Sequence, residues 1–171
     1  MNNTYYGSIA GATDYFANRL HATAWDDAVV ADRPKALLAA TQIINALSFK
    51  GYKASVYALL LASPSATAAD VKAAEAAQEL EFPRDDDTEV PEEIERATYE
   101  IAYSLLDGRD PEMELEALAV SSSRYASVAT SYARDQVPVE HILNGVPSAP
   151  AWRLLLPFLR DSDEVNLSRV S

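Results

Sequence analysis

The sequence has 171 residues and no cysteine, which excludes disulfides, cysteine-ligated zinc and a thiol nucleophile. Glycine is scarce, at five residues, and no Gly-Lys-Ser or Gly-Lys-Thr accompanies the closely spaced Gly7 and Gly11, so a phosphate-cradling loop is not expected. Only two histidines occur, His21 and His141. They stand far apart and outside any His-Glu-x-x-His spacing, which argues against a histidine metal site. The longest apolar run, residues 56–62, falls well below the roughly 20 residues a membrane-crossing helix needs. The opening Met1-Asn2-Asn3-Thr4 has neither the basic nor the apolar part of a secretory signal, so folding in the cytoplasm is expected. Basic residues are also few: 14 Lys and Arg face 26 Asp and Glu, for a net charge of −12. Such a chain repels phosphate unless a local basic patch overrides the total, and the nearest thing to a basic cluster is the spaced pair Lys50 and Lys53. On charge alone a grip on nucleic acid is disfavoured.

What is present is a composition that folds. Hydrophobic residues make up 49% and charged residues 23% of the chain, a length and balance that suit one domain with one core. Ser8 can cap a helix with Ile9, Ala12, Phe16 and Leu20 on its apolar side, running to about Leu20. Asp32 and Pro34 start a second helix with Leu37, Ala40, Ile44 and Leu47 on one face, and Gly51 is placed to stop it or to open the next turn. Thr67 and Asp70 form a short-armed capping box for an Ala-rich helix to about Leu80, whose thin apolar face predicts a peripheral position. After the acidic Asp85-Asp86-Asp87, Pro91 opens the strongest helix. Its first turn carries Glu92, Glu93 and Glu95, its stripe is Ile94, Ala97, Thr98, Ile101, Ala102 and Leu105, and Gly108 ends it. Asp110-Pro111-Glu112 begins another, to about Leu118. Strand-forming residues between 119 and 134 predict a short β-hairpin with its turn around Ser122 to Arg124. Pro138 and Ser148 open two last helices. The fold class expected is mainly α: a helical bundle over 1–160 with one hairpin, and an extended C-terminal arm over 161–171.

Residues that could carry chemistry have plainer readings. Asp85, Asp87 and Glu89 alternate like a calcium loop but lack the glycine an EF-hand turn requires, so a solvated acidic loop is expected. Ser121, Ser122 and Ser123 lie in no Gly-x-Ser-x-Gly elbow. Tyr15, Tyr99 and Tyr103 sit on helical stretches, where packing is the ordinary role of a ring. No enzyme activity, cofactor or metal is expected.

Four segments carry a resemblance: Tyr6-Gly7 leading into Asp14-Tyr15-Phe16-Ala17 with Trp25; Arg33-Pro34-Lys35-Ala36-Leu37 with Phe49-Lys50-Gly51; Leu80-Glu81-Phe82-Pro83-Arg84 followed by Val90-Pro91; and Val137-Pro138 through Trp152 to Leu159. They resemble a family of tailed-phage neck proteins, some of whose members carry the label DnaT-like single-stranded-DNA-binding protein. The first of these labels implies a structural head-to-tail connector in the virion: a homo-oligomeric, dodecameric ring beneath the portal protein that also meets tail or nozzle proteins. Genomic double-stranded DNA would pass through its channel without specific binding. Under that reading the hairpin (Tyr125, Val128, Tyr132, Arg134) and the arm (Leu159, Arg160, Val165, Leu167, Val170) are the expected portal and intersubunit contacts. The second label implies a binder of single-stranded DNA. The net charge of −12 favours the connector, because a DNA conduit must repel its polyanion while a binder must attract it. A small-ligand or enzyme domain is a third class, to be favoured by a deep pocket with converging carboxylates.

Overall fold

The computed structural model describes residues 4–119, 122–125, 128–131 and 140–160, and the chain is mainly helical. Helix α1 (Ile9–Ala17) starts where the Ser8 hydroxyl accepts a hydrogen bond from the Gly11 amide, 2.9 Å away. It buries Ala12 and Phe16 but stops at Ala17, a turn earlier than its apolar spacing predicts. Leu20 therefore never returns to the core side and is 84% exposed, and Ile9 stays at the rim. A four-residue helix, α2 (Thr23–Asp26), then buries Trp25. Helix α3 (Arg33–Asn45) has Pro34 in its first turn and buries Ala36, Leu37, Ala40, Thr41 and Ile44.

The centre of the molecule is α6 (Glu92–Leu106). Its first turn holds Glu92, Glu93 and Glu95 at the positive end of the helix dipole, and its stripe Ile94, Ala97, Thr98, Ile101 and Ala102 is buried. Gly108, at φ 82°, closes it: the Gly108 amide donates to the Leu105 carbonyl and the Arg109 amide to the Ser104 carbonyl, which satisfies two carbonyls of the last turn. Helix α6 packs chiefly between α3 and α9 (Ala149–Leu155), the latter capped by the Ser148 hydroxyl and burying Ala151, Trp152 and Leu155. A 3-10 turn (Leu156–Phe158) follows α9. Tyr6, Phe49 and Phe158 each pack within about 6 Å of the Phe82 ring, the first at 6.1 Å, the others at 4.8 and 5.7 Å, and this wedge joins the chain's early, middle and late segments into the core.

Helices α4 (Ala54–Ala62) and α5 (Ala68–Ala77) pack on each other beside this core. The capping box is formed at both ends, with the Thr67 hydroxyl accepting from the Asp70 amide and the Asp70 carboxylate from the Thr67 amide. Helix α5 buries no residue, as its alanine composition predicts. Polar latches hold its end instead: the Ser55 hydroxyl donates to the Ala74 carbonyl at 2.7 Å, and the Gln78 amide nitrogen donates to the Leu80 and Pro83 carbonyls.

Helix α7 (Pro111–Ala119) precedes two four-residue strands, β1 (Ser122–Tyr125) and β2 (Val128–Ser131), which pair antiparallel with Ser122 opposite Ser131 and Tyr125 opposite Val128. The turn expected around Ser122 to Arg124 is corrected: these residues lie in β1, where the ladder to Ser131, Thr130 and Ala129 outweighs the turn preference of serine. A last short helix, α8 (Glu140–Leu143), leads to α9. The arm expected over 161–171 lies outside the described residues. Among those described, no helix is long and apolar enough to cross a membrane.

Candidate nucleic-acid interface

Two distant segments meet along a short seam. Phe49 and Leu159 form an isolated antiparallel bridge, with the Lys50 amide donating to the Phe158 carbonyl at 2.9 Å and the Arg160 amide to the Ser48 carbonyl at 3.0 Å. Phe49 is buried and Leu159 half-buried, so strand alternation turns Lys50 and Arg160 the other way, and both are exposed. In this register they occupy diagonal positions, which brings two cations within roughly 7–8 Å at their Cα atoms. Neither enters an ion pair among the described residues.

Arg84 fixes the backbone behind this pair. Its guanidinium donates to the Lys50 carbonyl at 2.8 Å and the Gly51 carbonyl at 2.7 Å, pairs with the Glu81 carboxylate at 2.7 Å, and lies over the Phe49 ring at 5.8 Å. Gly51, at φ +69°, passes so close to Asp85 that a Cβ there would strike the carboxylate. The same carboxylate accepts from the Tyr52 amide at 2.8 Å. Tyr52 is left 55% exposed. The seam thus presents Lys50 and Arg160, with the exposed Tyr52 two residues further along beside the Asp85 carboxylate, while Lys53, the other member of the sequence pair, is engaged with Glu81 at 3.2 Å.

A second concavity is different in character. A groove of about 880 Å³ between α1 and α6 is walled by Tyr15 and Tyr99. Its two arginines are occupied, Arg19 by the buried Glu100 at 2.7 Å and Arg96 by Glu92, which leaves the carboxylates of Asp14 and Glu95 facing the groove. Burial, and then the charges of Glu92 and Glu89, raise Glu95 above the usual carboxylate range. Tyr15 is pushed up to about 12 by burial and by donating its hydroxyl to Glu100 at 2.8 Å. This wall repels phosphate. The Tyr99 hydroxyl accepts from the Ser8 amide and Tyr103 donates to the His21 carbonyl, so these rings are packing residues tied to backbone.

Of the residues expected to make portal or intersubunit contacts, four lie among those described. Tyr125 lies in β1 and Val128 opposite it in β2, while Tyr132, Arg134, Val165, Leu167 and Val170 fall outside the described residues. Leu159 packs against the core, and Arg160 is exposed on the seam beside Lys50. Sequence reading singled out Lys50 but missed Arg160, because only the Phe49–Leu159 bridge brings them together, and missed Tyr52, whose backbone is held by Asp85. Among the described residues no three metal-ligating side chains converge.

Fold and surface describe a small, mainly helical protein with a two-cation edge on an acidic body. The chain belongs to the family described as "Putative DnaT-like ssDNA binding protein", whose model matches residues 2–169. No curated protein and no solved structure matches it. The family match overturns the head-to-tail connector reading, and with it the dodecameric ring, the portal and tail partners and the passive channel for double-stranded DNA. The error lay in letting the net charge of the chain stand for the charge of one edge.

Proposed function

We propose that this protein is a non-catalytic binder of single-stranded DNA that holds the strand along the edge formed by Lys50, Tyr52 and Arg160. The observation that carries the reading is the match to the family of that description over residues 2–169. The edge supports it chemically. Lys50 and Arg160 can each neutralise a phosphate and release its counterion, and an exposed tyrosine stacks on a base whatever its identity, for about 1–3 kcal/mol. The acidic body also has a part. Duplex DNA carries a charge every 1.7 Å or so and is stiff, so docking on the edge brings many phosphates against a protein of net charge −12, whereas a flexible strand can bend away.

The test is fluorescence anisotropy of a labelled single-stranded 12-mer and of the matching duplex at low salt. The single strand is expected to bind more tightly, and Lys50→Glu with Arg160→Glu to abolish binding while the melting temperature stays put. A duplex bound as well as the single strand, or a double variant that binds normally, contradicts the proposal.

A further inference from the structure

Beside Arg160 the surface opens into a cavity of about 420 Å³, within the roughly 300–1,000 Å³ range of small-ligand pockets. Its walls are Trp152 and Leu159 with Leu47, and its mouth carries Leu143, 63% exposed, and Leu156, 45% exposed. The rest of the lining is polar: Ser48, Arg160, Glu140 and Asn144, the last with its Nδ2 donating to the Glu140 carbonyl at 2.9 Å and its Oδ1 left as an acceptor. Arg160 belongs both to the cavity rim and to the cationic edge, so the cavity continues the proposed DNA path.

We infer that this cavity receives one unstacked nucleobase of the bound strand and favours bases that carry an exocyclic amino group. The inference rests on the proposed binding of single-stranded DNA and deepens it. A flat base can lie against the apolar side chains of this mixed lining, and it covers Leu143 and Leu156, which are exposed. With its phosphate at Arg160, the base is carried into the cavity by the length of one nucleotide. With Arg160 engaged by the phosphate, the groups left to meet the base are the Ser48 hydroxyl and two acceptors, the Glu140 carboxylate and the Asn144 amide oxygen. Cytosine and adenine offer amino donors to such groups, as a carboxylate accepting from the cytosine amino group does in groove recognition. Thymine has no amino group: its one ring donor, N3–H, is flanked by two carbonyl oxygens that the carboxylate repels.

Anisotropy of the full chain with labelled dC, dA and dT 12-mers at low salt tests this. The dC and dA strands are expected to bind roughly tenfold more tightly than dT. Glu140→Gln, a change at an exposed position that leaves the core intact, is expected to erase that difference, whereas Lys50→Ala weakens all three strands alike. Equal affinity for the three strands, or a preference that survives Glu140→Gln, overturns the base pocket while leaving DNA binding in place. Failure of all three to bind overturns the DNA-binding reading itself and the pocket with it.

Discussion

Tyr6 ties three segments together through one side chain and its own amide. Its hydroxyl donates to Asn45 Oδ1 at 2.6 Å and accepts from the Phe82 amide at 3.2 Å, while its amide donates to Thr41 Oγ1 at 3.2 Å. Tyr6→Phe keeps the ring and strands the buried Phe82 amide, so urea unfolding is expected to show a loss of about 1–3 kcal/mol. Burial also pushes the Tyr6 phenol up to about 12 from the ordinary 10.0, and Tyr15 behaves likewise. A group with a raised folded-state pKa stabilises fully below its unfolded value and loses that contribution as pH climbs through the folded one. Stability is therefore expected to hold up to about pH 10 and to fall between there and pH 12, which denaturant melts at pH 8 and pH 11 will show. None of these partners was legible in the sequence. Tyr15, Tyr99 and Tyr103 could be placed on helices, but the groups their hydroxyls meet are supplied by other segments.

At the scale of elements, legibility followed periodicity and capping. Helix α6 could be read almost whole, because acids in its first turn, a 3.6-residue stripe and Gly108 all point the same way. The same holds for the Ser8, Thr67 and Ser148 caps. Helix α4 is another matter. Its run of Ala, Val, Tyr and Leu has no polar face to set against an apolar one, and only Val56 is buried, so sequence could not tell this short helix from a strand. Helix α2, a single turn around Trp25, gives no periodic signal at all. Burial also sets which helices open first. Helix α5 buries nothing and α6 buries eight residues, so hydrogen exchange of the intact protein is expected to be fast along residues 68–77 and to approach the global unfolding limit along residues 94–104. Equal protection of the two would contradict this ranking.

For the whole molecule, charge is the quantity that misled. A total of −12 suggested a surface from which DNA would slide, yet repulsion summed over a body does not forbid attraction at one edge within a Debye length of roughly 8 Å. A search for basic clusters along the chain finds Lys50 and Lys53, of which the fold commits Lys53 to Glu81 and gives Lys50 a different companion, Arg160. That companion comes from the far end of the described chain, and no sequence pattern announces the bridge that delivers it. The quoted segments were read as those of phage neck proteins, a resemblance that the family match overturns in favour of the second label. Phe49-Lys50-Gly51 and the stretch ending at Leu159 were even among them, though they were read as packing residues. The measurement that bears most directly on single-stranded DNA binding at this edge is affinity as a function of salt, for the natural chain, Lys50→Ala and Arg160→Ala. Each substitution is expected to flatten the log–log slope by about 0.7, the counterions released per phosphate contact on a single strand. A natural chain with no affinity at low salt, or slopes that neither substitution moves, would contradict it.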